Sequence, residues 1–330
     1  MTVSARPRVR SSALVIVLLL AAAAPLTAQS ADSLALRLAA MTAVTGYEDA
    51  MADSIRAALP GSRADRAGNI VWSRGSGDPV RVAVCSLDEV GYVVGAVTAE
   101  GYLTLRRVGA TPVGPLFDQF LEGQRVTVWG RRGPVPGVVG VRSTHLQRGR
   151  AAGADDPFSL DNAFVDVGAA TTAEAASLGV ELLDPVARAK RPHRYGGGLL
   201  AAPFAVQRSA CAALLAAVRR LPDGGVGTDV AVFARRRHFA HDGAGFALLE
   251  TARGAPAERV VFVGGAAAPD SLGLGTVLAA RDSLLVASTM QLVTAWNLPA
   301  RYLRSPVETV SLRDVVALAE RLVAFLGGAR

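Results

Sequence analysis

A chain of 330 residues that is 51% hydrophobic and 19% charged can bury a sizeable core, which excludes a disordered polymer and suits one large domain or a domain carrying an insertion. The formal charge of +7 is almost wholly arginine, because Lys190 is the only lysine; the arginines are spread along the chain and aromatics are 5%, so no nucleic-acid partner is expected. A Walker A segment, an internal repeat and zinc-finger cysteine spacing are all absent from the sequence.

At the N-terminus, Arg6, Arg8 and Arg10 precede an apolar run at residues 13–24 and then Pro25-Leu26-Thr27-Ala28. This order reads as a signal peptide over residues 1–28 and predicts an exported protein, periplasmic or secreted. The run is about 12 residues against the ~20 that span a bilayer, so no stable membrane insertion is expected after cleavage. Loss of the three leader arginines lowers the charge to +4. An oxidising compartment permits a disulfide between Cys85 and Cys211. The favoured expectation is nevertheless two buried thiols, one closing an apolar strand and one on an alanine-rich helix.

Helical apolar spacing then covers residues 32–41 and 49–59, broken by Thr45-Gly46-Tyr47 and ended by Pro60-Gly61. Strands are predicted at residues 69–72 and 80–85, the second apolar enough to be covered on both faces. Short alternating runs such as Tyr102-Leu103-Thr104-Leu105, punctuated by glycine and proline, mark a small β-rich domain over residues 93–185. The α/β pattern resumes with a helix at 206–221, a strand at 229–234, a helix at 243–252 and a strand at 260–263. A last helix opens at Ser311 with Asp314 as a capping box and places Val315, Leu318, Leu322 and Leu326 on one face. The fold class is therefore α/β, a mostly parallel sheet flanked by helices over residues 29–92 and 186–330, with a β-barrel-like domain inserted at 93–185. Gly196-Gly197-Gly198 lacks the flanking strand and helix of a phosphate cradle and reads as a connector.

Seven segments occur in an order that resembles the tetrahedral and glutamyl aminopeptidase family of dinuclear metallopeptidases: Val44-Thr45-Gly46-Tyr47-Glu48, Gly68-Asn69, Leu87-Asp88-Glu89-Val90-Gly91, Gly123-Gln124-Arg125-Val126, Phe164-Val165-Asp166-Val167-Gly168-Ala169, Leu183-Asp184-Pro185-Val186 and Arg301-Tyr302-Leu303-Arg304-Ser305-Pro306-Val307-Glu308. The resemblance implies two divalent metals, zinc or cobalt, a glutamate base, and frequent self-assembly in which the inserted domain takes part. It also implies where the ligands should stand, and there this chain departs from the pattern. Ser86 occupies the position of the first histidine, Val206 that of the bridging aspartate, Gly264 that of a further aspartate and Arg304 that of the last histidine. The paired glutamates fall on Arg237, the position of the base, and His238. Asp88 and Glu89 are retained.

Metal ligands must be anionic or neutral, so Arg237 and Arg304 oppose a metal pair as well as failing to hold it: a dication ~6 Å from one guanidinium meets roughly 5 kcal/mol of repulsion at an effective dielectric of ~20. A relocated site would draw on His145, His193, His238, His241, Asp242, Asp88 and Glu89. His238 with His241 has the one-turn spacing that puts two imidazoles on one helix face, but that pair matches no recognised ligand pattern, and a polar helix start with Asp242 near its first turn is the favoured reading. No Gly-x-Ser-x-Gly elbow offers nucleophilic catalysis instead. The expected protein is a catalytically inactive pseudo-peptidase with no cofactor. Its cationic pocket, formed by Arg208, Arg237, His238 and Arg304, suits an anionic small molecule or peptide, because guanidinium binds carboxylate or phosphate bidentately. Against this stands an inert scaffold in which the arginines turn outward or pair with Asp88 and Glu89. The alternatives are an active aminopeptidase hydrolysing N-terminal residues with atypical ligands, and a non-catalytic assembly subunit; a homo-oligomer is expected.

Overall fold

The computed structural model describes residues 30–109, 116–141, 158–222, 224–239, 259–267, 278–280 and 293–328. The expected signal peptide, the helix at 243–252, and His145, His241 and Asp242 lie outside them. Two helices, α1 (Ala31–Ala39) and α2 (Asp49–Ala58), lead into β1 (Arg63–Ala64), β2 (Ile70–Ser76) and β3 (Val80–Ser86). Next come β4 (Gly91–Val97), β5 (Leu103–Val108), β6 (Arg125–Gly130), β7 (Gly133–Val141), β8 (Ala163–Asp166), α3 (Thr172–Ser177) and β9 (Pro185–Arg188). The remainder is β10 (His193–Tyr195), β11 (Leu199–Ala201), α4 (Ala205–Val218), β12 (Gly227–Ala234), β13 (Arg259–Ala267), β14 (Leu278–Ala280), β15 (Val293–Arg301), β16 (Thr309–Ser311) and α5 (Leu312–Leu326).

One sheet runs β1-β2-β12-β3-β13-β15-β16-β11-β10, with β14 on β15. Its four central strands, β12, β3, β13 and β15, are parallel, while the flanking pairs are antiparallel. The carboxyl ends of four strands therefore share one edge, where open α/β sheets place their ligands. Every residue of β3 is buried, as its unbroken apolar run requires: Ala83 and Cys85 face the core around α4, and Val82 and Val84 face a second cluster. Because α4 is mostly alanine, it is narrow enough to pack between α1 and α5 against the sheet, and nearly all of it is buried. On α5, Val315, Leu318, Leu322 and Leu326 are fully buried, each contributing ~1.5–3 kcal/mol. The Ser311 hydroxyl accepts the Asp314 N–H at 3.4 Å and caps the helix.

The inserted strands close into a six-strand barrel, β4-β5-β8-β7-β6-β9, with an interior that includes Val94, Leu103, Leu105, Val128 and Val165. Its first and last strands pair with each other, Tyr92 opposite Val186, so the chain leaves and re-enters the α/β body at one place. That adjacency brings the barrel beside the sheet edge. Gly196, Gly197 and Gly198 form the turn between β10 and β11, all with positive φ, which explains the run of glycines.

The expectation of two free thiols is corrected: Cys85 and Cys211 form a disulfide with a Cα–Cα distance of 5.4 Å. Alternation along β3 turns Cys85 toward α4, where Cys211 lies on the facing side, within the span a disulfide needs.

Candidate functional site

Segments leaving three of the parallel strands converge with β13, the start of α4 and the barrel around a cavity of about 220 Å³. The turn after β12 supplies Arg237 and His238, β13 supplies Val263, Gly264 and Gly265, and the loop after β15 supplies Leu303, Arg304 and Glu308. Phe204, Val206 and Gln207 open α4, Val90 follows β3, and Phe117 comes from the barrel. The loops are held in unusual backbone. Of the five non-glycine residues with positive φ among the described residues, Phe204 and Arg304 line the cavity and Arg236 and Tyr302 adjoin it. Left-handed backbone at a non-glycine residue costs on the order of 1–3 kcal/mol, so the surrounding hydrogen bonds must hold it. The Glu48 carboxylate does so for Arg236, accepting its N–H at 2.9 Å. The Glu308 carboxylate does so for Arg304 at 2.8 Å.

Of the positions singled out in the sequence, Val206, Arg237, His238, Gly264 and Arg304 meet at this cavity. Ser86 does not line it: the residue is buried, and its carbonyl accepts the Gln207 side-chain amide at 3.1 Å. Asp88 is fully buried behind the lining, its Oδ2 accepting the His238 backbone N–H at 2.9 Å. Its Oδ1 has no hydrogen-bond partner among the described residues. Burial pushes the His238 imidazole below the usual histidine range, against the pull of the Asp88 charge.

Arg208 requires a correction. It was expected at the pocket, but it is 2% exposed and its guanidinium donates to the Leu87 carbonyl and to Glu89 Oε2, the latter at 2.7 Å. Lys190 Nζ meets the same Glu89 oxygen at 2.6 Å and lies 5.2 Å from the centre of the Phe204 ring. A buried carboxylate needs counter-charge, and Glu89 takes it from both cations. Burial opposes ionisation of Glu89, yet Lys190 and Arg208 together hold its carboxyl below the ordinary range. Burial likewise brings Lys190 down to about 8, with Glu89 resisting the shift. The pairing of arginines with Asp88 and Glu89, weighed above as the inert arrangement, holds for Arg208 with Glu89.

Glu308 is the residue that sequence reasoning passed over. It appeared only as the end of the last motif, with no signal beyond its place there. It is 2% exposed, and its two oxygens accept the backbone N–H groups of Val206, at 2.7 Å, and Arg304, at 2.8 Å, which puts an anion at the amino end of α4. Burial pushes its carboxyl up to about 7 despite those two donors.

Among the described residues the donor set does not fit a pair of divalent metals. Among the described residues lining the cavity, His238 and Glu308 are the two groups of metal-binding type, too few to hold two metals. Val206 turns methyl groups toward β13, so close that a Cβ at Gly265 would sit 2.1 Å from its Cγ2. No cluster of three or more His, Cys, Asp or Glu side chains suited to a metal occurs among the described residues.

A parallel-centred α/β sheet, a barrel inserted after its third strand and a cavity at the shared carboxyl edge define an aminopeptidase-type architecture. Residues 68–237, more than half of the chain, match the M42 glutamyl aminopeptidase family, and the chain belongs to that family. SgcX of Escherichia coli (strain K12) is 32% identical over 180 residues, 52% of this chain and 46% of that protein. The lysyl aminopeptidase of Pyrococcus furiosus is 28% identical over 54% of this chain and 51% of its own length. The chain thus spans about half the length of the curated relatives it matches. Among solved structures, the aminopeptidase APDkam598 from the archaeon Desulfurococcus kamchatkensis superposes with a TM-score of 0.77 at 20% identity, covering 91% of this chain and 95% of that one. The Pyrococcus horikoshii TET1 peptidase, which can assemble into a tetrahedron or a large octahedral shell, gives 0.77 at 21%, covering 90% and 99%. At these identities the likeness shows the fold.

Proposed function

We propose that this M42 family member is an exported, non-hydrolytic protein that uses the inherited cavity to bind a small anion. The observation that carries the reading is the pair Arg237 and Arg304: both are exposed at the cavity, and among the described residues no hydrogen bond or ion pair engages either guanidinium. Arg208, by contrast, is neutralised by Glu89. Two open guanidiniums favour a carboxylate or phosphate and oppose dications at the same place. Export is supported by the arginines and apolar run of residues 1–28 and by the Cys85–Cys211 disulfide, which an oxidising compartment sustains.

The test is metal analysis of the purified protein, hydrolysis of aminoacyl chromogens with added zinc or cobalt, and titration with acetate and phosphate. Anion binding without turnover is expected. Turnover abolished by a chelator would establish instead an active aminopeptidase with atypical ligands. A second reading, self-association, is supported by apolar exposure beside the barrel: Trp129 and Leu183 are 39% and 63% exposed, and the Tyr47 hydroxyl donates to the Leu183 carbonyl. A multiple of the chain mass in solution is expected, and a strict monomer would remove that reading.

A further inference from the structure

The cavity carries charge of both signs, arranged by depth. Arg237 and Arg304 are exposed, whereas Glu308 is 2% exposed, so cations mark the mouth and an anion the floor. No salt bridge neutralises Glu308 among the described residues: Lys190 is paired with Glu89, and the Glu308 oxygens accept backbone N–H groups alone. A carboxylate oxygen that takes one N–H keeps a lone pair for a second donor. Much of the remaining lining is apolar, with Phe117, Phe204, Val206, Val263 and Leu303 beside the polar Gln207 and His238. The volume of about 220 Å³ lies below the ~300 Å³ at which pockets begin to hold drug-sized molecules.

We propose that the ligand is a free α-amino acid with an apolar side chain, its carboxylate on Arg237 and Arg304, its ammonium on Glu308 and its side chain against the Phe117 and Phe204 wall. This rests on the anion-binding reading of the same cavity and adds the second charge. An ammonium at Glu308 supplies the counter-charge that a buried carboxylate otherwise lacks, and a charge-assisted hydrogen bond inside an apolar wall is stronger than one in water. A simple carboxylate satisfies the mouth and leaves the floor unmatched. A simple amine does the reverse.

Calorimetric titration of the full exported chain with L-leucine, 4-methylpentanoate and 3-methylbutylamine separates these cases, because the three share a side chain and differ in charge. L-Leucine is expected to saturate the protein, and each analogue lacking one charge is expected to bind about tenfold or more weakly. Glu308→Gln is expected to reduce L-leucine to the affinity of 4-methylpentanoate. Since Glu308 also supports α4, the analogue series on the unaltered protein decides the matter if that variant does not fold. If 4-methylpentanoate binds as tightly as L-leucine, or acetate and phosphate bind while L-leucine does not, the two-charge ligand is overturned and the anion reading stands. If 3-methylbutylamine equals L-leucine, or none of the anions binds, the anion reading itself is overturned.

Discussion

Two clusters of charge lie on either side of Phe204, and they handle arginine in opposite ways. Beneath it, Glu89 draws Arg208 and Lys190 into contacts of 2.7 and 2.6 Å with every partner buried. Above it, Arg237 and Arg304 stand at a cavity mouth, and among the described residues no carboxylate engages either. The residue types barely differ; access to water and to a counter-charge does. A buried cation forces the chain to provide its partner, whereas an exposed one is satisfied by water and stays accessible to a ligand. The lower cluster joins β3, α4 and the segment leaving the barrel, so it is structural. The upper one is where binding is expected.

Breaking the lower cluster should have the largest effect. Glu89→Gln leaves Arg208 and Lys190 buried without their anion and is expected to cost ~3–5 kcal/mol in chemical denaturation. A loss below ~1 kcal/mol would show that water reaches the cluster and that the contrast is overdrawn. Reducing the Cys85–Cys211 disulfide, which closes a sequence separation of 126 residues, should lower stability by roughly 2–4 kcal/mol. Unfolding with and without reductant measures it.

Glu308 sharpens the comparison through pH. Its folded pKa of about 7 lies above the unfolded value of 4.5, so between these the folded state holds the extra proton and stability falls as pH rises through the window. The expected loss is up to ~3 kcal/mol, and Glu308→Gln should flatten that slope. Lys190 has the opposite sign of slope in another window: folded at about 8 against 10.5 unfolded, it makes stability rise between those values. Glu89, held low, contributes stability above its unfolded pKa that is lost as pH falls through its folded pKa. Smallest of all, Arg237→Gln with Arg304→Gln should change stability by less than ~0.5 kcal/mol, as for ordinary surface positions, while weakening anion binding. A large stability loss would place those arginines in the structural cluster.

Much of the frame was legible in advance because its signals are local or periodic. The run over residues 80–85 announced a strand covered on both faces, and Ser311 with Asp314 announced the start of α5. Of the positions aligned with the family pattern, Val206, Arg237, His238, Gly264 and Arg304 line one cavity. Four things were misread or missed: the pairing of Cys85 with Cys211, the withdrawal of Arg208, the burial of Ser86 away from the cavity, and the part played by Glu308. Each depends on which face of one element meets another, a fact that spacing along the chain does not contain.

By itself, then, the sequence determined the family frame, the order of its elements and which residue types stand at the aligned positions, since identity and periodicity are properties of the chain. The tertiary structure alone decided which arginines are neutralised and which, among the described residues, meet no counter-charge. That choice turns on burial and on distances between segments more than a hundred residues apart, from Glu89 to Arg208 and from Val206 to Glu308. Electrostatic energy follows separation in space and exposure to water, and neither is written in residue order.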